Sequence, residues 1–311
     1  MPNVFIIGGG LSGLAAALEC QRLNIPCRLL EVKARLGGSL FTETVDGWRL
    51  DHGSFAFPQA ADWSFLESLG LAEVIYPLYP TQSTSRRVAF QGGAGAVIEA
   101  LQKALTIPVI HRMALSSIGE LDGRYTLCLE NGLMWEAAGV IVAAPARFAE
   151  RMFRTLAPPV SERLFDYPYD PLTRVALGFR KADLPSPSRP NWDMGYPHYD
   201  YTDHPDRAPA DHWLLQLAVR YPLDQTTPEQ LLTVLRRDFN WQAAPVIQRV
   251  GYWPEAAPIP PHDPAFQAQM AALMAHLPPR IALAGSDYAG LDLAARIESG
   301  RAAARKLARE L

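Results

Sequence analysis

Three glycines spaced as Gly8-x-Gly10-x-x-Gly13 follow the uncharged apolar run Val4-Phe5-Ile6-Ile7, with Leu11, Ala15 and Leu18 behind them. That order predicts a buried strand, a tight turn and a helix. Gly8 permits the turn, Gly10 removes the side chain where a pyrophosphate must approach, and Gly13 lets the helix sit close to the strand. The N–H groups of the helix start, at Leu11 and Ser12, then face the phosphates, where the helix dipole favours negative charge. A second run, Cys27-Arg28-Leu29-Leu30, ends in Glu31, 18 residues beyond Gly13. An acid there can hold a ribose 2′-hydroxyl and repels a 2′-phosphate, so the pattern describes a dinucleotide site that disfavours NADP.

A loop with paired glycines follows the acid: Val32-Lys33-Ala34-Arg35-Leu36-Gly37-Gly38-Ser39 places cations beside the expected phosphates. A second glycine signature lies near the other end, Ile281-Ala282-Leu283-Ala284-Gly285-Ser286-Asp287, ahead of a helix expected over residues 292–310. Gly300 falls inside that helix, where glycine costs about 1 kcal/mol relative to alanine. Close packing against a strand or a ligand would account for it.

Between the signatures, Asp46-Gly47 divides a hairpin over residues 42–50 that Asp51-His52-Gly53-Ser54 closes. Residues 62–69 and 94–104 read as helices, and 83–91 as strand-like. Runs at 108–115, 125–130 and 133–135, with turns at Asp122-Gly123 and Asn131-Gly132, predict a β-meander that returns through a buried strand at 139–144. From about residue 152 to 245 prolines and aromatics crowd in, between strands at 173–179 and 213–219 and a helix at 228–239. This stretch reads as an inserted substrate domain.

Composition narrows the classes. The chain has 311 residues, a net charge of −3 and no basic run, which gives no reason to expect nucleic acid. No stretch approaches the roughly 20 apolar residues of a membrane helix. The first strand begins too early to leave room for a signal peptide. Cys20, Cys27 and Cys128 show neither metal spacing nor an even-numbered framework, and no metal is expected. These readings together fit a cytoplasmic protein.

The motifs resemble those of the flavin-containing amine oxidase superfamily, whose members include monoamine oxidases, protoporphyrinogen oxidases, phytoene desaturases and renalases. The matching segments are Gly8 to Gly13, Glu31 with Arg35-Leu36-Gly37-Gly38, Asp51 to Ser54, Gly92-Gly93, Val140 to Pro145, Trp253-Pro254-Glu255-Ala256-Ala257-Pro258 and Leu283 to Gly300. The closing segment looks most like protoporphyrinogen oxidases, whereas the short length and the Trp253 segment look more like renalases.

The resemblance implies an α/β fold: a Rossmann-type FAD-binding domain, parallel sheet plus β-meander, with an inserted α+β substrate domain. The FAD-binding part would comprise residues 1–76, 92–151 and 246–311, and the substrate part 77–91 and 152–245. It further implies that Glu31 holds the adenosine ribose, with Val32, Lys33 and Arg35 near it or the phosphates. Gly37, Gly38, Gly53 and Ser54 would line the ribityl–flavin end, and Met113 would offer its backbone to adenine. Gly285 and Ser286 would contact ribitol or pyrophosphate, while Arg296 and Ile297 present backbone to the flavin. Ala144 and Trp253 complete the expected contacts. Ser39 stands where many members carry a second arginine, and Ser286 where aspartate is common. No cysteine follows Cys128, so the flavin is expected to be non-covalent.

The implied activity is FAD-dependent removal of a hydride from a small substrate of amine, dihydropyridine or porphyrinogen type, with dioxygen or another acceptor reoxidising the flavin. A non-oxidative polyene isomerase or desaturase and a non-catalytic FAD-binding protein are the alternatives. Trp253, His198 and Tyr288 are the candidate catalytic side chains, with Asp193, Tyr199, Arg174 and His204 behind them. Tyr196, Tyr199 and Tyr201 form either an aromatic cage for a cation or ordinary sheet packing.

Overall fold

Four strands whose residues are nearly all buried must sit inside a sheet covered on both faces, and the computed structural model places them so. It describes residues 3–60, 62–77, 87–184, 198–220, 227–255 and 263–311, with backbone alone for 198–200. Tyr196 and Asp193 lie outside the described residues. The chain divides into two units, Met1–Gly38 with Ile98–Pro168 and Pro258–Leu311, and Ser39–Val97 with Tyr169–Ala257.

The first unit is built on a five-stranded parallel sheet in the order Ile281–Leu283, Gly139–Val142, Val4–Ile7, Cys27–Glu31, Val109–His111. The expected 108–115 run is in fact two strands. Val109–His111 joins the parallel sheet, Arg112 turns the chain at φ +54°, and Leu115–Leu121 opens a separate sheet. Strands Leu115–Leu121, Arg124–Leu129 and Met134–Ala137 form the three-stranded antiparallel meander. Asp122 and Gly123, both at positive φ, make its first turn, as primed hairpin turns require.

Helices Leu11–Arg22 and Leu293–Glu310 cross at closest approach where Gly300 meets Ser12. A Cβ on Gly300 would lie 2.0 Å from the Ser12 carbonyl oxygen, so glycine there is set by backbone contact and not by helix propensity. Glu19, buried on the first helix, accepts from Arg22 at 2.7 Å and from Arg301 of the second at 3.1 Å.

The second unit carries an antiparallel sheet in the order His198–Thr202, His212–Val219, Leu172–Arg180, Ile247–Trp253. Alternation along Leu172–Arg180 sorts its two faces. Val175, Leu177 and Phe179 point into a core with Leu231, Leu235 and Phe239, supplied by helix Pro228–Asp238 and the residue that ends it. Each such side chain contributes about 1.5–3 kcal/mol when fully buried. That helix starts with a capping box between Thr227 and Gln230. Ala176 points the other way, to Trp48, Leu50 and Leu214, so the hairpin Thr42–Val45 and Trp48–Asp51 covers that face. The 62–69 helix is shorter than expected, Ser64–Glu67, because Asp62 draws the Ser64 N–H into a local turn at 2.8 Å.

Candidate functional site

The glycine turn of the first unit runs backbone against backbone with the loop that follows Glu31. Gly37 bridges Gly10 as an isolated parallel pair, and its N–H donates to the Gly9 carbonyl at 2.8 Å. A Cβ on Gly13 would fall 1.9 Å from the Gly8 carbonyl oxygen, which fixes the helix-to-turn distance. Above Gly10, by contrast, a Cβ would find nothing nearer than the Gly38 Cα at 4.0 Å. Helix Leu11–Arg22 begins there with no side-chain cap and no acid in its first turn. Its leading N–H groups are therefore left for an exogenous anion.

Glu31 closes the cradle. Its Oε2 accepts from the Gly9 N–H at 2.7 Å and its Oε1 from the Lys33 N–H at 2.8 Å. A carboxylate offers about four acceptor positions, so each oxygen keeps one for a diol. Arg35 braces the loop, donating to the carbonyls of Leu36 and Gly38 at 3.2 Å each, and burial lowers its pKa against the opposing pull of Glu31. Val32 is 60% exposed at the strand end. Met113, expected near adenine, gives its N–H to the Glu31 carbonyl at 3.0 Å. These features fit the adenosine diphosphate portion of a dinucleotide in donors, acceptors and open space.

The closing signature is tied into the same unit. Gly285 donates to the Ser299 hydroxyl at 3.2 Å, and Ser286 to the Asp287 carboxylate at 3.1 Å. Asp287 is turned inward and accepts from the Ala146 N–H at 2.8 Å, at the start of helix Ala146–Phe153. Tyr288 donates to the Ala144 carbonyl at 3.1 Å, which gives this catalytic candidate a fastening contact. Arg296 is buried, and burial pulls its pKa down to about 10 against the opposing charge of Asp287. Ile297 is buried beside it on the helix.

The second unit gathers side chains that no sequence spacing announces. Asp51 and Arg207 form an ion pair at 2.6 Å, both side chains at 0% exposure. Asp51 also accepts from Thr42 Oγ1 at 2.5 Å and from the Ala94 N–H at 2.9 Å, and Thr42 Oγ1 accepts from the Gly95 N–H at 2.8 Å. The carboxylate and hydroxyl thus hold the start of helix Gly95–Ala104, with Gly92-Gly93 leading into it. Next along the chain, His52 meets Glu43 at 2.8 Å, and Arg249 grips Glu43 with Nη2 at 2.7 Å and Nε at 2.9 Å. Gly53 runs against the Ser39 backbone, and Ser54 is half-buried behind it.

Trp253 donates to the His52 carbonyl at 2.5 Å, which orients its ring. His198 pairs by backbone with Ala218, which pairs in turn with Arg174. Arg174 is half-buried, with its guanidinium 5.7 Å from the centre of the Phe55 ring. Burial and the like charge of Arg87 lower its pKa to about 10, so it stays cationic at neutral pH. Tyr201 belongs to the sheet core, 5.0 Å from Trp213, and His204 stacks on Tyr76 at 5.1 Å. The side chain of Tyr199 lies outside the described residues. Among the described residues, no cluster of acids, histidines and cysteines could hold a metal, and no helix is long and apolar enough to cross a membrane.

Sequence and structure comparisons bear on what the cradle holds. Residues 6–69 match the model of the NAD(P)-binding Rossmann-like domain, and residues 54–308 that of the flavin containing amine oxidoreductases. Pseudooxynicotine dehydrogenase from Pseudomonas sp is 29% identical over 138 residues, covering 39% of this chain and 28% of that protein. Two solved structures share the fold. The "Putative protoporphyrinogen oxidase" of Exiguobacterium sp. 255-15 has a TM-score of 0.82 at 17% identity, covering 100% of this chain and 99% of that one. Cyclohexylamine oxidase from Brevibacterium oxydans IH-35A has a TM-score of 0.81 at 14% identity, with 99% of each chain covered. At such identities the two structures speak for the fold alone, but the family model spans most of the chain. With a Rossmann cradle at its start and that match over residues 54–308, the chain belongs to the flavin containing amine oxidoreductase family.

Proposed function

We propose that the protein is an FAD-dependent oxidoreductase that removes a hydride from a small substrate of amine, dihydropyridine or porphyrinogen type, with dioxygen as acceptor. The observation that carries the reading is the open backbone gap over Gly10, at an uncapped helix start, with the Glu31 carboxylate fixed beside it. FAD held there supplies the two-electron chemistry. Gly10, Leu11, Ser12 and Gly38 offer backbone to the pyrophosphate, and Glu31 accepts from the adenosine ribose. Arg35 keeps the loop in place and so acts through it. In the second unit, Trp253, oriented by the His52 carbonyl, is the side chain assigned to the flavin end, with Gly53 and Ser54.

The cofactor is non-covalent on this reading. Cys20 and Cys27 are buried within the first unit, and Cys128 lies on the meander strand Arg124–Leu129. Three free thiols also suit a reducing, cytoplasmic setting. The segments around the parallel sheet carry the nucleotide, and 77–91 with 152–245 carry the substrate. The pseudooxynicotine and cyclohexylamine named for the relatives make a small amine the first class to try.

A visible spectrum of the purified protein tests the cofactor. A flavin band released as free FAD on denaturation is expected, and Glu31→Gln should weaken FAD retention by about tenfold, roughly 1.4 kcal/mol. Anaerobic mixing with an amine panel, a dihydronicotinamide and protoporphyrinogen then shows which class bleaches the band, and added dioxygen should restore it. A colourless protein that cannot be reconstituted with FAD overturns the reading.

A further inference from the structure

Arg174 occupies an unusual place on the sheet of the second unit. Its direct cross-strand neighbours are Ala218 on one side and Gly251 on the other, and Ala176 follows it on the same face. A Cβ placed on Gly251 would meet nothing closer than Trp253 Nε1 at 3.9 Å. The stem of Arg174 is therefore flanked across both strands by small residues, and its guanidinium lies against the face of Phe55.

The other arginines of this unit's polar network have carboxylates: Arg207 has Asp51 and Arg249 has Glu43. Arg174 makes no hydrogen bond or ion pair with any described residue. A second positive charge adds to it, because Arg87 donates to the carbonyl of Ala56, next to Phe55, at 3.0 Å. One row further along the same face stands Gln216, 1% exposed. Its Oε1 accepts from the Asp51 N–H at 2.9 Å, while its Nε2 has no partner among the described residues. Half-burying a guanidinium without an acid is unfavourable, and a ring face satisfies none of its five N–H donors. Among the described residues, those next to Arg174 supply donors and positive charge, and none is hydrogen-bonded or ion-paired to it through a carboxylate.

We propose that Arg174 anchors a carboxylate of the substrate, so that the compound oxidised is a carboxylate-bearing amine and not a purely cationic one. A planar guanidinium takes both oxygens of a carboxylate in parallel, and the small neighbours leave room for that approach. A cationic amine alone would meet Arg174 and Arg87 as like charges; a carboxylate on the same molecule offsets them. That the compound is oxidised rests on the flavin reading above, but the anion subsite does not.

Calorimetry on the purified protein separates the two. The probes are benzoate against benzamide, indole-3-acetate against indole-3-acetamide, and inorganic phosphate. The wild type should bind at least one carboxylate about tenfold more tightly than its amide. Arg174→Gln should abolish that preference and leave amide affinity within about twofold, a split that a merely structural role would not produce. Arg174→Lys keeps the charge without the fork and should retain part of the preference; it carries the test if the glutamine variant does not fold. An unchanged preference in either variant, or none in the wild type, overturns the proposal. Phosphate binding more tightly than every carboxylate overturns it too. A colourless protein that still prefers carboxylates through Arg174 would sink the flavin reading and leave the anchor standing.

Discussion

The two units hold their polar groups in opposite ways. Around the dinucleotide turn the bonds are made mainly by backbone: Gly9 and Lys33 donate to Glu31, Gly37 to Gly9, and Arg35 to two carbonyls. In the second unit they run between side chains, Asp51 to Arg207 and Thr42, Glu43 to Arg249 and His52. A backbone-built site tolerates almost any side chain that points away, but no added atom where two backbones touch. A side-chain site tolerates added bulk at its edges, but not the loss of one charge. The two units should therefore break under opposite kinds of substitution.

The largest effect is expected in the second unit. Arg207→Met leaves Asp51 at 0% exposure without its cation. Removing one partner of a buried pair costs about 3–5 kcal/mol. Adding Asp51→Asn, which removes the stranded charge but keeps an acceptor, should recover about 1–2 kcal/mol of that loss. Denaturant unfolding of the single and double variants measures both. If the double variant is less stable than Arg207→Met by the full cost of a second independent loss, the pair is not coupled and the contrast between the units fails.

Gly300→Ala probes the other unit by addition. The new Cβ meets the Ser12 carbonyl at 2.0 Å, a backbone atom that cannot swing aside. The better helix propensity of alanine offsets part of the overpacking, leaving a net loss of about 1–3 kcal/mol. FAD retention should fall with it, because Ser12 opens the helix assigned to the pyrophosphate. Gly119→Ala is the control: its Cβ would lie 4.0 Å from the nearest atom, the Thr126 carbonyl oxygen. A Gly300→Ala protein as stable as wild type would show that the helices shift freely and that glycine there is not required.

The same contrast explains what could be read from the sequence. The cradle lies within a short contiguous stretch, and each requirement falls on a residue type with few substitutes: glycine at 8, 10 and 13, acid at 31. Two strands of the parallel sheet, Val4–Ile7 and Gly139–Val142, were equally plain, because burial on both faces demands unbroken apolar runs. Gly300 stood out for its cost in a helix and proved to mark a backbone crossing. Arg112 gave no warning that it turns the chain, since an arginine at φ +54° has no signature in sequence. Asp51 read as the end of a hairpin, although it is the centre of the buried network. Its partner Arg207 is 156 positions away, and Arg249 is 206 from Glu43. At such separations spacing carries no signal, and only the packing of the hairpin against the four-stranded sheet, with the turn that carries Arg207, brings the charges together.

The smallest effect sharpens the contrast through pH. Hydrogen bonds from Arg249, joined by His52 and opposed by burial, hold the Glu43 carboxyl at about 2 against an ordinary 4.5. A depressed carboxyl pKa stabilises the fold fully above the unfolded value and less as pH falls toward the folded one. The contribution should therefore be complete at neutral pH and disappear between about pH 4.5 and about pH 2. Glu43 and Arg249 are 27% and 38% exposed, so solvent screening trims the stabilisation to about 1–2 kcal/mol. Glu43→Gln should lower stability by that amount at neutral pH and approach wild type as the solution is acidified. Trp253, bonded to the carbonyl of His52, provides a fluorescence probe beside the network for these titrations. A gap between the two proteins that stays constant through the acid range would mean that Glu43 acts by shape and hydrogen bonding alone. Within this network, the dependence on side-chain charge would then rest on the fully buried pair of Asp51 and Arg207.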